Sequence, residues 1–99
     1  MASSSQSVTA TITGVSQGTD WIPTRPGGYF DISVGTTGSG TITLQRRLLD
    51  GDGTAYDVAT YAPLDAPEVG HSVNWWEWRL YCKTGDYTSG SIEVGIWAP

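Results

Sequence analysis

Six runs of this chain alternate apolar and polar side chains with a period of two: residues 7–13, 29–34, 41–48, 55–61, 73–82 and 91–97. Successive side chains of a strand point to opposite faces, so each run has one apolar face and one polar face. Val8, Ala10 and Ile12 share a face in the first run, and Phe30, Ile32 and Val34 in the second. Ile42 and Leu44 do so in the third, Tyr56 and Val58 in the fourth, and Ile92, Val94 and Ile96 in the last. Such alternation marks antiparallel sheets that are wet on one side. The composition agrees, with 13 glycines, much Thr and Ser, and few of the good helix formers. No helix longer than a turn or two is evident.

The expected fold is therefore all-β: a single antiparallel β-sandwich, jelly-roll or immunoglobulin-like, of about six to eight strands. It spans residues 7–99, with residues 1–6 as a flexible polar arm. Residues 35–40 and 83–90 read as hairpin loops, and Asp50-Gly51-Asp52-Gly53 as a tight turn between two strands. Two segments read as non-strand. Residues 15–28 carry Trp21, Pro23, Pro26, Gly27 and Gly28, and prolines cannot pair fully in a ladder. Residues 62–70 are similar and are expected to cross between sheets.

Ninety-nine residues suffice for one domain with a modest core. Limited stability leaves room for a partner to add a large share. Five basic residues against ten acidic give a net charge of -5, and Arg46-Arg47 is the only basic cluster. A phosphate backbone or an anionic membrane needs clustered cations, so direct nucleic-acid binding and membrane docking are disfavoured. No apolar run approaches the roughly 18 residues of a membrane span. Residues 1–6 lack the basic and apolar parts of a secretory leader. The chain is expected to stay in the cytosol where it is made, or to leave it inside something larger. Cys82 is the single cysteine, which rules out an intrachain disulfide and suits a small buried hydrophobe.

Motifs for chemistry are weak. Asp50-Gly51-Asp52-Gly53-Thr54 starts like a calcium loop, but the glycine at the sixth position and the acid at the twelfth are missing. It also departs from the Asp-box turn, Asp-x-Gly-x-Thr-Trp, with Asp52 in place of glycine and Ala55 in place of tryptophan. His71, the one histidine, sits in a Gly-His-Ser loop with no activated nucleophile beside it in sequence. No zinc spacing or phosphate-cradling glycine loop occurs, so the expectation is no metal, no cofactor and no catalytic residue.

The densest feature is Asn74-Trp75-Trp76-Glu77-Trp78-Arg79-Leu80-Tyr81-Cys82. Strand parity puts Trp76, Trp78, Leu80 and Cys82 on an uncharged face, read as core. Trp75, Glu77, Arg79 and Tyr81 share the other face, where Glu77 and Arg79 could pair. Trp and Arg are frequent anchors of interfaces, and indole faces also stack on sugars. Trp97 joins this surface if the last two strands form a hairpin, and Arg46 and Arg47 are secondary contacts. Three readings stay open for the face: cover by residues 15–28 through Trp21 and Pro23, protein docking, or glycan binding. Whether that cover belongs to the same chain or to a neighbour is also open.

Three stretches carry a resemblance. Gly40-Thr41-Ile42-Thr43-Leu44-Gln45-Arg46-Arg47 leads into Asp50-Gly51-Asp52-Gly53-Thr54-Ala55-Tyr56-Asp57-Val58. Later come Trp78-Arg79-Leu80-Tyr81-Cys82 and Lys83-Thr84-Gly85-Asp86-Tyr87-Thr88-Ser89-Gly90-Ser91-Ile92-Glu93-Val94. Together, over residues 28–97, these resemble small β-sandwich structural proteins of tailed bacteriophages. Tyr56 stands in place of that family's turn tryptophan and Trp78 in place of its tyrosine before Arg-Leu, so large aromatics are kept. The resemblance implies a non-enzymatic virion component made in the host cytoplasm, and it transfers no catalytic residue. The expected role is a capsid decoration or cement protein that binds the major capsid protein or other virion proteins, as a homo-oligomer in the particle. The alternatives are a tail, neck or fibre accessory protein, and a carbohydrate-binding module for host adsorption.

Overall fold

The computed structural model describes residues 6–35, 37–63, 68–72 and 74–98. Residues 1–5 of the expected 1–6 arm, the expected strand start at Val73, Thr36 in the 35–40 loop and residues 64–67 of the 62–70 segment lie outside them, whereas Gln6 is not part of an arm but the first residue of a strand, opposite Ala98. Eleven strands form: β1 (Gln6–Ile12), β2 (Gln17–Gly18), β3 (Ile22–Thr24), β4 (Tyr29–Val34), β5 (Ser39–Gly40), β6 (Ile42–Leu48), β7 (Tyr56–Tyr61), β8 (Glu68–His71), β9 (Trp76–Cys82), β10 (Tyr87–Ser89) and β11 (Ile92–Ala98). One sheet runs β1-β11-β4-β8. The other runs β9-β6-β7, with β2 and β3 sharing the outer side of β9. Every pairing is antiparallel. If β2 and β3 are counted as one interrupted strand and the short β5–β10 ribbon is set aside, the eight remaining strands follow the jelly-roll order, crossing between the sheets at every step except the β6–β7 hairpin.

The apolar faces meet between the sheets. Ile12, Phe30, Ile32, Val34, Ile92, Val94 and Ile96 come from the first sheet. Ile22, Ile42, Leu44, Trp78, Leu80 and Cys82 come from the second. Trp78, 3% exposed, packs tilted on Phe30 with ring centroids 4.6 Å apart. Its Nε1 donates to Thr24 Oγ1 at 2.8 Å, so a large indole is buried without an orphaned donor. The molecule measures 39 × 34 × 17 Å, a slab whose thickness matches two sheets about 10 Å apart.

Several expectations are corrected. The segments read as non-strand contain β2, β3 and β8. Pro23 is accommodated because β3 is an edge strand, where a missing donor faces away from the ladder. The gap between β2 and β3 is stitched by Thr19, whose N–H donates to Leu80 O (2.9 Å) and whose Oγ1 accepts from Leu80 N (3.1 Å). Only β6–β7 is a hairpin among the three links. The 35–40 and 83–90 links cross from one sheet to the other and pair with each other through β5 and β10. Tyr56 and Val58 are not core: they are 53% and 46% exposed. Leu44 faces Ala59 while Gln45 faces Asp57, so Val58 is the extra residue of a bulge. A bulge breaks the alternation that sequence parity assumes. Ala59 and Tyr61 take the inward places instead.

At one end of the slab lie the chain's first and last described residues, the turn before β4, the 49–55 loop and the link into β9. At the other lie the β5–β10 ribbon and the turn after β1. The candidate surfaces follow from this division.

Candidate functional site

Glu77, Arg79 and Tyr81 share the outer face of β9, as parity requires, and Arg47 joins them from β6. Arg47 and Glu77 are direct cross-strand partners, and Arg47 Nε donates to Glu77 Oε1 at 2.8 Å. Glu77 therefore pairs across the ladder and not with Arg79. Cross-strand neighbours are about 5 Å apart, whereas positions two apart in one strand are about 7 Å apart. Arg79 Nε donates to Gln45 Oε1 (2.8 Å), and Gln45 Nε2 donates to Asp57 Oδ1 (3.0 Å). Lys83 closes the chain with an ion pair to Asp57 Oδ2. Partial burial is the main influence on Arg79 and lowers its pKa; Tyr81 opposes this and Arg47 adds to it.

Trp21 lies over this network. Its ring stacks on Arg47 at 4.3 Å and on Arg79 at 4.5 Å, and Arg79 also lies 4.1 Å from the Tyr81 ring centre. The 15–28 segment thus covers the face from within the same chain. Its two carboxylates are paired, Arg79 is held by Gln45 and by the Trp21 and Tyr81 rings, and Glu77, Arg79 and Tyr81 are half-buried. Arg46 turns the other way. Its guanidinium stacks on Trp76 at 4.2 Å and lies 5.7 Å from Trp78, capping one edge of the core.

Trp75 does not belong to this face. β9 begins at Trp76 because Asn74 takes the preceding backbone: Asn74 Oδ1 accepts from Trp75 N at 2.8 Å, and Asn74 O accepts from Trp76 N at 3.0 Å. Trp75 O accepts from Leu49 N at 3.0 Å. The backbone of Trp75 is pinned at both its N–H and its carbonyl, while its indole is 51% exposed at the end of the slab. The ring stands between two hollows. Tyr29, Arg25, Thr24 and Gly28 line one; Leu48, Leu49 and Asp50 line the other. Tyr29 is 59% exposed and stacks on His71, with centroids 4.5 Å apart. His71 is therefore the exposed end of a strand beside an aromatic ring and not a loop residue. The Arg25 guanidinium has no ion-pair partner among the described residues.

No protein-family model, curated protein or solved structure matches this chain. The case for a site therefore rests on its geometry.

Trp97 is separated from all of these. β9 and β11 lie in different sheets and do not form a hairpin. Its indole is on the outer face of the β1-β11-β4-β8 sheet, across the slab from Glu77 and Arg79. The residues singled out from the sequence thus fall into four places: the covered face (Arg47, Glu77, Arg79, Tyr81), the core edge (Arg46), the end (Trp75) and the opposite face (Trp97). Sequence reading missed Tyr29, Arg25 and Leu48 as companions of Trp75. The outward parity of Tyr29 in β4 was the one available signal. The Asp50–Thr54 stretch forms turns, with Thr54 N donating to Asp52 Oδ1 at 2.9 Å. That bond and the Thr54 hydroxyl hold the Asp52 carboxyl below its ordinary value.

Proposed function

We propose that the protein is a non-enzymatic structural subunit of a tailed-phage virion, a decoration protein that docks end-on onto the capsid lattice. The observation that carries the docking mode is Trp75: a half-exposed indole on a fixed backbone, flanked by exposed Tyr29 and Leu48 and by the unpaired Arg25. Trp, Tyr and Arg are the residue types that dominate interface energetics, and a preorganised anchor loses little freedom on binding. The virion assignment draws its support from the resemblance over residues 28–97. An acidic, disulfide-free β-sandwich suits that role, and many copies on one lattice turn a weak contact into firm attachment.

The test is copy number in purified particles, followed by add-back of the chain to particles that lack it. Hundreds of copies per particle fit the capsid reading, a few tens or fewer move the protein to the tail or neck, and none refutes a virion role. Trp75→Ala is expected to reduce capsid affinity by about tenfold or more, the range of an interface hot spot.

A further inference from the structure

The outer face of the β1-β11-β4-β8 sheet carries a second kind of surface. Trp97 lies flat on it. A Cβ built at Gly95 would sit 2.5 Å from Trp97 Cη2 and 2.9 Å from Cζ3, so the six-membered ring rests on the space that glycine leaves open. The indole remains 44% exposed, with its outer ring face toward solvent. Thr9 and Ser33 flank Gly95 from the neighbouring strands, and Ser7 and Asp31 flank Trp97 itself. Thr11 and Glu93 form the next row. None of these polar side chains has a hydrogen-bond or ion-pair partner among the described residues. All five basic residues lie elsewhere: Arg46, Arg47, Arg79 and Lys83 with the other sheet, and Arg25 at the end.

We infer that this face is a binding platform for a neutral glycan, with Trp97 as the stacking surface for one pyranose ring. One face of a pyranose presents C–H groups, and the electron-rich face of an indole attracts their positive edges. Hydroxyls around the sugar's rim need donors and acceptors in a ring about 5 Å from the stacking plate, which is the spacing of adjacent strands. Thr9, Ser33, Ser7 and Asp31 stand at that distance with free hydrogen-bonding capacity. The carboxylates of Asp31 and Glu93, with no lysine or arginine on the face and His71 two strands away from Trp97, disfavour uronates, sulfates and other anionic sugars by like-charge repulsion. A flat apolar plate ringed by unspent polar groups is the pattern of a site that orients a polyhydroxylated ligand. This inference does not depend on the Trp75 docking mode, because the two surfaces share no residue.

The test is affinity gel electrophoresis of the full chain in gels cast with a soluble glucan, a mannan or, as the anionic probe, alginate. Retardation by a neutral polymer and none by alginate is expected. Trp97→Ala should abolish the retardation, and Gly95→Ala should weaken it about fivefold or more by lifting the ring from the sheet. Gly95 has an ordinary strand backbone that alanine can adopt, so that variant perturbs the ring and not the chain path. Trp75→Ala should migrate like the wild type in every gel. The inference is overturned if neither neutral polymer retards the chain, if alginate retards it equally, or if Trp75→Ala loses as much as Trp97→Ala. Capsid add-back with Trp97→Ala reports separately on docking, so either reading can fail without the other.

Discussion

Trp78 ties the two sheets together by packing and is anchored within its own sheet by a hydrogen bond. Its ring fills the centre against Phe30, and its N–H reaches Thr24 Oγ1, which in turn donates to Trp76 O at 3.2 Å. Removing the ring leaves a large void, so Trp78→Ala is expected to cost about 3–5 kcal/mol in urea unfolding. Thr24→Val keeps the volume and deletes the hydroxyl that accepts from Trp78 and donates to Trp76 O. It should cost about 1–3 kcal/mol, the penalty of a buried unsatisfied donor; a neutral Thr24→Val would show that the indole N–H finds another partner. Cys82, fully buried in the same core, has its thiol pKa pushed up by burial, with Asp86 adding to it. A thiol reagent should therefore label it only through unfolding, at a rate that rises in the Trp78→Ala variant.

Among the elements, the covered face of β9 is held by a relay across three strands: Asp57 on β7, Gln45 on β6 and Arg79 on β9, with Lys83 on Asp57. Lys83 and Gln45 hold the Asp57 carboxyl below its ordinary 3.8, and Asp57 holds Lys83 above its ordinary 10.5. A depressed carboxyl contributes stability above its unfolded pKa and loses it as pH falls through the folded value. The raised lysine contributes below its unfolded pKa and loses its share as pH rises through the folded value. Asp57→Asn should therefore lower stability at neutral pH and flatten the curve below about pH 4, where wild type and variant converge. A constant gap from neutral to acid would mean that Asp57 acts through packing alone. This relay also shows what the sequence makes legible. Period-two alternation located six strands and put Glu77, Arg79 and Tyr81 on one face. It gives a strand its faces but not its neighbours, so the Arg47–Glu77 pairing and the sheet assignment of Trp97 stayed hidden. Glycine- and aspartate-rich links mark a reversal of the chain equally well in a hairpin and in an arch between sheets. β8 escaped notice because Gly70 fills its inward place opposite Phe30, where the phenyl ring needs the room and no apolar side chain can signal burial.

At the scale of the whole molecule, charge and apolar surface are distributed unequally over the slab. The β9 face has its two carboxylates paired and Arg79 held by Gln45, the Trp97 face is acidic, and the Trp75 end is aromatic, with the unpaired Arg25 on one side and Asp50 and Asp52 of the 49–55 loop on the other. End-on docking would leave both broad faces open to solvent, which is the arrangement a glycan platform on one of them needs. It also sets the character of the contact. Apolar burial at Trp75, Tyr29 and Leu48 is insensitive to salt, and the exposed charges there, Arg25 and Asp50, contribute screened terms of modest size and opposite sign. Capsid binding should therefore change by no more than about threefold between low and physiological salt. Arg25→Glu should slow association more than it speeds dissociation, because an accessible cation acts mainly in steering, whereas Trp75→Ala should act on dissociation. Asp31→Lys with Glu93→Lys should leave docking unchanged, since neither residue lies at the end. Association and dissociation rates on immobilised capsids would separate these cases. If reversing the acidic face changed docking as strongly as Trp75→Ala, the slab would lie on a broad face, and the Trp97 indole would be part of the protein contact.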